Sequence, residues 1–172
     1  TSTPAGYTST NVGCAASTEA GALDAFFSKR VGPLFGADYQ HVVPLGGGRF
    51  AWFFQDAFID PTGVAARLDQ SHFVHNLLLV QDGACFTMLH RGKADKPLSF
   101  EPGNGENPIK KWFWPMGAEV SGGRLYMFWV EMVRALVDGE AVNILVNDAA
   151  PAAQVRAQLA AAGVPLARVR LY

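Results

Sequence analysis

An acidic residue, Asp56, stands inside the apolar and aromatic stretch AWFFQDAFID at residues 51–60. A carboxylate buried among such side chains is costly unless it has charged or hydrogen-bonding partners. One alternative is a pocket acid that meets ligand hydroxyl groups or an arginine such as Arg49 or Arg91. The other is a structural acid that accepts backbone N–H groups near the turn DPTG at 60–63. The sequence leaves both alternatives open.

The sequence contains no recognisable metal or cofactor motif. His72 and His75 are three residues apart, whereas a metal pair on a strand would favour a spacing of two. The glycines at 46–48 are not followed by the Lys-Ser/Thr of a phosphate loop, and NDAAPAAQ lacks the dinucleotide fingerprint. We therefore predict no metal and no cofactor.

The composition excludes two classes of partner. The 172 residues are 49% hydrophobic and carry a formal net charge of -1, with scattered lysines and arginines. This pattern gives no basic surface for nucleic acid. The longest apolar run near the middle, at 77–80, is far too short to cross a membrane. We predict neither nucleic acid nor membrane as a partner.

The elements that must position these side chains change in character along the chain. Residues 1–37 are predicted as a polar leader with a short helix at about 19–29. Residues 38–132 alternate aromatic and β-branched runs with glycine-rich turns, which predicts an antiparallel β-meander. LGGGRFAWFF and VSGGRLYMFW form a weak internal repeat, as two propeller blades would give.

Residues 133–172 are predicted as a separate αβαβ segment. EMVRALVDGE is amphipathic, which favours a helix, and it is followed by a strand at 141–147, a helix at 151–162 and a strand at 167–172. The two strands are expected to be parallel, with a right-handed crossover. The predicted fold class is therefore α+β: an incomplete, propeller-blade-like antiparallel meander followed by a C-terminal αβαβ unit.

Cys14 and Cys85 allow two interpretations. A disulfide would suit a secreted protein and would hold the polar amino end in place. Two unpaired, buried thiols are the other interpretation, and the sequence does not decide between them.

Residues 38–132 resemble a bacterial family of secreted five-bladed β-propeller proteins, related in architecture to glycoside-hydrolase propellers. The matching segments are LGGGRFAWFFQDAFI, FVHNLLLVQDG and WFWPMGAEVSGGRLYMFWVEM, in that order. The chain departs from the family pattern at Gln55 and Ala57, where small Gly and Thr are expected. The resemblance implies a carbohydrate ligand and a secreted or periplasmic location.

In propellers of this kind, acids on inner strands face a central pocket and divide the acid and base or nucleophile roles. The resemblance therefore implies catalytic roles for Asp38, Asp56 and Glu119, with Glu131 as a further candidate.

Four other side chains are predicted to bind the substrate. His75 and Asn76 would contact sugar hydroxyl groups, and Trp112 and Trp114 would stack on sugar rings. The alternatives are satisfied structural polar groups for the first pair and a core plug between sheets for the second.

Residues 131–172 are similar to the start of the agmatine-deiminase and bacterial peptidylarginine-deiminase family, whose first module opens with helix, strand, helix and strand. None of that family's catalytic positions exists in this chain. The two resemblances meet near WVEM at 129–132, which predicts a junction in a recombined or engineered chain or in a natural fusion.

Two functions follow from these observations. The first is a secreted carbohydrate-binding or carbohydrate-processing fragment of propeller type. The alternative is a noncatalytic chain that associates with itself through open sheet edges, and a homo-oligomer is predicted on that ground. Whether the chain is an enzyme is left open by the sequence.

Overall fold

The strands form antiparallel sheets in a computed structural model of the protein. The structure describes residues 5–30, 32–102, 111–137, 140–146, 156–157, 160–161 and 169–171. Within these residues lie helix α1 (Ala20–Phe27), a short 3-10 helix (Leu68–Gln70) and the strands β1 (Thr8–Cys14), β2 (Leu34–Ala37), β3 (His41–Gly46), β4 (Arg49–Phe54), β5 (Ala57–Ile59), β6 (His72–Val74), β7 (Leu77–Asp82), β8 (Cys85–Lys93), β9 (Lys96–Leu98), β10 (Lys111–Ser121), β11 (Arg124–Val137), β12 (Glu140–Val146) and β13 (Val169–Leu171).

These strands make three sheets, which we call large, small and C-terminal. The large sheet has the order β1-β8-β7-β4-β3, with β9 added to β8. The small sheet has the order β2-β5-β6, and the C-terminal sheet has the order β10-β11-β12, with β13 on β11. Every described pairing is antiparallel.

The central strands of the large sheet are apolar on both faces because both faces are covered. On one face, Ala51, Phe53 and Leu78 pack against side chains of the β10–β11 hairpin. On the other face, Phe54 and Leu77 join a core that also contacts α1. A strand buried on both sides needs a continuous apolar run, and this explains AWFF in β4 and LLLV in β7.

The internal repeat corresponds to two hairpins with the same kind of turn. Gly47 and Gly48 connect β3 to β4 with φ of 63° and 74°, and Gly122 and Gly123 connect β10 to β11 with φ of 56° and 73°. Two consecutive residues with positive φ match the type I′ hairpin turn, which glycine adopts at the least cost. An arginine follows each turn and forms the residue pair nearest to it: Arg49 pairs with Gly46, and Arg124 pairs with Ser121.

The predicted C-terminal αβαβ unit is wrong. Residues 131–137 continue β11 instead of forming a helix, and β12 and β13 each pair antiparallel with β11. Ala135 pairs with Val142 and also with Leu171, so β12 and β13 lie on opposite edges of β11. Strands do occupy the predicted positions near 141–147 and 167–172. Of the predicted helix at 151–162, residues 156–157 and 160–161 are helical, and the others lie outside the described residues.

The physical reason for this error lies at the start of the predicted helix. The segment from Arg124 to Val137 has no capping residue or turn between the aromatic half, RLYMFWV, and the amphipathic half, EMVRALV. A strand that is already paired gains further backbone hydrogen bonds by continuing, whereas a new helix would need a costly nucleus. Helical periodicity over seven residues was therefore a weak signal.

The polar amino end forms an ordered edge of the large sheet. Strand β1 pairs with β8, and Cys14 lies opposite Cys85, to which it is joined by a disulfide. The structure thus selects the disulfide over the pair of free thiols. Val12 packs against the core beneath β1 together with Phe26 of α1.

We expect the Cys14→Ser/Cys85→Ser double variant to lose about 2–5 kcal/mol of unfolding free energy. The disulfide joins residues 71 positions apart, so it restricts a long loop of the unfolded chain. Urea unfolding of the oxidised protein and of the double variant measures the difference. Addition of a reductant should weaken the oxidised protein and leave the variant unchanged. Equal unfolding free energies would contradict a stabilising role.

A second link between β1 and β8 is the buried His90. Its Nδ1–H donates to the carbonyl oxygen of Arg91 at 2.8 Å, and its Nε2 lies 3.3 Å from the Thr10 hydroxyl group. A carbonyl oxygen can only accept a hydrogen bond, so Nδ1 of His90 carries a proton. Burial lowers the pKa of His90, although its hydrogen bond to the Arg91 carbonyl acts in the opposite direction.

This lowered pKa predicts a loss of stability on acidification. Between the folded pKa and the unfolded value of about 6.5, the unfolded chain binds more protons at His90 than the folded protein does. The free energy of unfolding should therefore fall as the pH drops from neutrality through the folded pKa. His90→Asn removes the titrating ring and keeps an N–H donor, so it should lose less stability between pH 7 and pH 5. Equal losses in both proteins, measured by urea unfolding, would contradict this role.

Candidate functional site

The candidate site lies where three segments of the chain pass between the small and the large sheet. Residue 38 follows β2, residues 55–56 connect β4 to β5, and residues 75–76 connect β6 to β7. Because Phe54 pairs with Leu77 and Ala57 pairs with Val74, residues 55–56 and 75–76 face each other. We call residues 38, 55–56 and 75–76 the sheet junction.

Asp56 finds its partners at this junction. Its Oδ1 lies 2.8 Å from Nδ1 of His75 and accepts a hydrogen bond of 2.9 Å from Nε1–H of Trp114. An indole N–H can only donate, so Oδ1 acts as an acceptor. Because the same Oδ1 accepts from His75, Nδ1 of His75 carries the proton of this hydrogen bond. The Asp56 side chain keeps 29% of its surface exposed, so one part of the carboxylate remains available.

The structure therefore answers why an acid stands in the apolar stretch 51–60. Asp56 accepts hydrogen bonds from two side chains, and the role of turn acid belongs to Asp60. The Asp60 carboxylate accepts the N–H groups of Thr62 and Ala65 and the Thr62 hydroxyl group. Burial would raise the pKa of Asp60, but the hydrogen bonds outweigh it, so the pKa is lowered. Arg91 contacts Tyr7 and Phe100 instead of Asp56.

Asp38 lies beside Asp56 in the sheet junction. The Asp38 N–H donates to the carbonyl oxygen of Asp56 at 3.0 Å, and the Gln55 N–H donates to that of Asp38 at 3.1 Å. Burial raises the pKa of Asp38, and repulsion by the Asp56 carboxylate adds to the effect. The two predicted acids are thus brought together, and their surroundings differ.

A cavity of about 350 Å³ opens next to the two acids. Its wall combines both carboxylates with apolar, aromatic and basic side chains: Arg30, Phe35, Gly36, Ala37, Asp38, Asp56, Phe58 and Leu68. We call it the junction cavity. Phe58 lies opposite Phe73 in the β5–β6 pair, with ring centroids 5.2 Å apart, and the two residues are 37% and 45% exposed. The site therefore offers acidic groups beside an accessible aromatic surface.

His75 is buried and positioned from several sides. Its ring stacks on Trp112 with centroids 4.3 Å apart, and its backbone N–H donates to the Ser99 hydroxyl group at 3.1 Å. The edge of Phe73 contacts the same ring at 4.9 Å. This packing holds Nδ1 toward Asp56, so His75 orients the carboxylate. Its predicted contact with a ligand stays a prediction.

The two predicted platform tryptophans have different positions. Trp112 is 1% exposed and stacks on His75. This burial agrees with the alternative that Trp112 is a core residue between sheets. Trp114 is partly exposed and donates to Asp56. Direct stacking of either ring on a sugar remains untested, and the more accessible rings near the acids are Phe58 and Phe73.

Asn76 is fully buried and connects three segments. Its Nδ2 donates to the carbonyl oxygens of Glu101 and Phe113 at 2.9 and 2.8 Å, and its Oδ1 accepts the Glu101 N–H at 2.7 Å. The side chain is thus occupied by backbone groups, as in the structural alternative. Its predicted role in ligand binding stays untested.

The two remaining acids lie away from the junction cavity wall. Glu119 is exposed on β10 opposite Tyr126. It is five residues beyond Trp114, a separation of roughly 15 Å along a strand. Glu131 is buried on β11 and forms an ion pair with Lys111. Neither side chain lines the junction cavity.

Sequence reasoning missed three contributors to the site: Arg30, Phe35 and Phe73. Arg30 and Phe35 lie within the segment that was predicted as a polar leader, and Phe73 reaches the site through its pairing with Phe58. The available signal for Phe73 is its position two residues before the candidate ligand His75 in SHFVHN, because this spacing places both side chains on one face of a strand.

The described residues hold neither a cluster of metal-ligating side chains nor a long apolar helix. No three His, Cys, Asp or Glu side chains among them come close enough to hold a metal ion. No helix in that part of the chain is long and apolar enough to span a membrane.

The fold and the site define an antiparallel β domain with paired acids at the junction of two sheets. The chain belongs to the family described as a domain of unknown function (DUF5005), whose model matches residues 21–149. The match runs across residues 129–132 and ends at residue 149, so it includes both sides of the predicted junction, and the chimeric origin stays a prediction. No curated protein and no solved structure matches the chain.

Proposed function

We propose that this chain is a carbohydrate-binding or carbohydrate-processing domain whose site is the junction cavity. The observation that carries the proposal is the placement of Asp38 and Asp56 in one cavity with the accessible ring of Phe58. Carboxylates accept hydrogen bonds from hydroxyl groups, and aromatic rings pack on the apolar faces of sugar rings. A volume of about 350 Å³ lies within the range of small-ligand sites.

A processing role would divide the chemistry between the two acids. Asp38, whose pKa is raised, suits the general acid that protonates a leaving oxygen. Asp56, whose Oδ1 is held by His75 and Trp114, suits the base or nucleophile. In this proposal His75 and Trp114 are positioning residues.

We further propose a propeller-type architecture and a secreted or periplasmic location. The β10–β11 hairpin packs face to face on the large sheet through Leu125 and Met127, as neighbouring propeller blades do. The Cys14–Cys85 disulfide favours an oxidising compartment. The αβαβ order implied by the deiminase resemblance is not observed, and that resemblance carries no proposal.

Calorimetric titration against a panel of oligosaccharides tests the sugar site. We expect the protein to bind at least one member, and Phe58→Ala to weaken that binding about tenfold by removing an aromatic contact. Leu98→Ala is the matched control because Leu98 is 46% exposed on β9, outside the cavity wall. No binding by the unmodified protein, or equal affinity of Phe58→Ala, would count against the site.

Self-association is the second candidate function, and a specific surface favours it. The β10–β11 hairpin exposes Tyr126 and Phe128 on the face opposite to Leu125 and Met127, which pack on the large sheet, and a second copy of the chain could cover these two rings. Strand β3 also pairs on one side only within the described part of the large sheet, which leaves an edge for strand addition.

Light scattering at high micromolar concentration tests this second function. We expect a mass above that of the monomer, and a shift toward monomer in Phe128→Ala because the apolar contact area shrinks. A monomer mass for the unmodified protein over the whole concentration range would reject self-association.

A further inference from the structure

Arg30 connects the junction cavity to a second and larger cavity. The larger cavity has a volume of about 610 Å³ and shares Arg30, Phe35, Gly36 and Ala37 with the junction cavity. A ligand that fills both spaces would therefore pass along Arg30. Arg30 therefore adds a permanent positive charge to the wall of the cavity that Asp38 and Asp56 also line.

The guanidinium group of Arg30 has no ion pair and no hydrogen bond to the residues that the structure describes. Arg91, by contrast, donates hydrogen bonds to the Phe100 carbonyl oxygen and the Tyr7 hydroxyl group. Arg30 also adopts φ of 48°, a backbone conformation that is costly for residues other than glycine. A glycine would fit this backbone more easily, so the arginine side chain needs another explanation.

We infer that the ligand of this site is an acidic sugar, with its carboxylate or sulfate group bound by Arg30. This inference rests on the proposed carbohydrate function. The planar guanidinium group donates paired hydrogen bonds to carboxylate and sulfate oxygens. Neutral hydroxyl groups of the same sugar would face Asp38 and Asp56, because a second anionic group there would be repelled.

Paired glycans separate the charge from the rest of the ligand. The panel pairs each acidic oligosaccharide with its carboxyl-reduced or desulfated form. The affinity of every member is measured for the unmodified protein, for Arg30→Gln and for Lys29→Gln. Lys29 provides the matched control because it is a neighbouring cation that lines neither cavity. Since Arg30 is exposed, Arg30→Gln should fold normally, and a thermal melt checks this.

We expect at least tenfold tighter binding of an acidic member than of its neutral form, and loss of this preference in Arg30→Gln but not in Lys29→Gln. The preference should also weaken as salt is added. Tight binding of neutral forms, or a preference that survives Arg30→Gln, overturns the inference and leaves the carbohydrate function standing. Absence of all glycan binding overturns both.

Discussion

Asn76→Ala is expected to lower the free energy of unfolding by about 3–5 kcal/mol. The Asn76 amide makes three hydrogen bonds with backbone groups of Glu101 and Phe113, and the side chain is 0% exposed. Truncation removes three hydrogen bonds from those backbone groups and opens a cavity at a fully buried position. Urea unfolding monitored by tryptophan fluorescence measures the loss.

Asn11→Ala is the matched control for this experiment. Asn11 is exposed on β1, and its Oδ1 accepts only the N–H of Gly13, so its removal should cost less than about 1 kcal/mol. Asn76→Asp should also be damaging, because a carboxylate cannot donate to two carbonyl oxygens. A loss below about 1 kcal/mol in Asn76→Ala would contradict the structural role of this amide.

Asp56→Asn is expected to abolish sugar hydrolysis, if the domain is an enzyme, and to weaken sugar binding at least tenfold. The amide keeps the shape but removes the charge that His75 and Trp114 hold in place. The loss of charge-assisted hydrogen bonds should also cost about 1–3 kcal/mol of stability. Thermal melts and glycan titrations on the same preparations measure both effects.

Glu119→Gln controls for the loss of one negative charge. Because Glu119 is exposed on β10 and does not line the cavity, this variant should keep both stability and binding. A less stable Asp56→Asn protein that binds the glycan as well as the unmodified protein would make Asp56 a structural acid. An effect of Glu119→Gln as large as that of Asp56→Asn would show that net charge, rather than the site, governs binding.

The strand-rich middle of the chain was predictable because its turns and its aromatic runs agree. Gly122 and Gly123 mark a hairpin turn as clearly as Gly47 and Gly48 do, and the positions of the flanking strands follow from them. The wrong prediction of a C-terminal αβαβ unit arose where such turn residues are missing. No turn or capping residue separates residues 124–130 from 131–137. The structure of 131–137 is decided by pairing with β12 and β13, which are distant in sequence.

The candidate site was predictable as a set of residue types but not as a geometry. Asp56 and His75 are 19 positions apart, and Asp56 and Trp114 are 58 apart. Their contacts depend on the register of β4 with β7 and on how the β10–β11 hairpin packs. A short segment of sequence determines neither the register nor the packing. Glu119 illustrates the limit, because an acid in a similar aromatic setting faces solvent instead of the cavity.

The most direct test of the sugar site is an NMR titration that follows the indole N–H resonances of the four tryptophans. The Trp114 N–H is bonded to Asp56 at the cavity, whereas the Trp52 N–H donates to Gln81 within the large sheet. Addition of the tightest-binding oligosaccharide should shift the Trp114 resonance in a saturable way and leave the Trp52 resonance in place. A Trp114 resonance that does not move at saturating oligosaccharide would contradict a ligand site at Asp56.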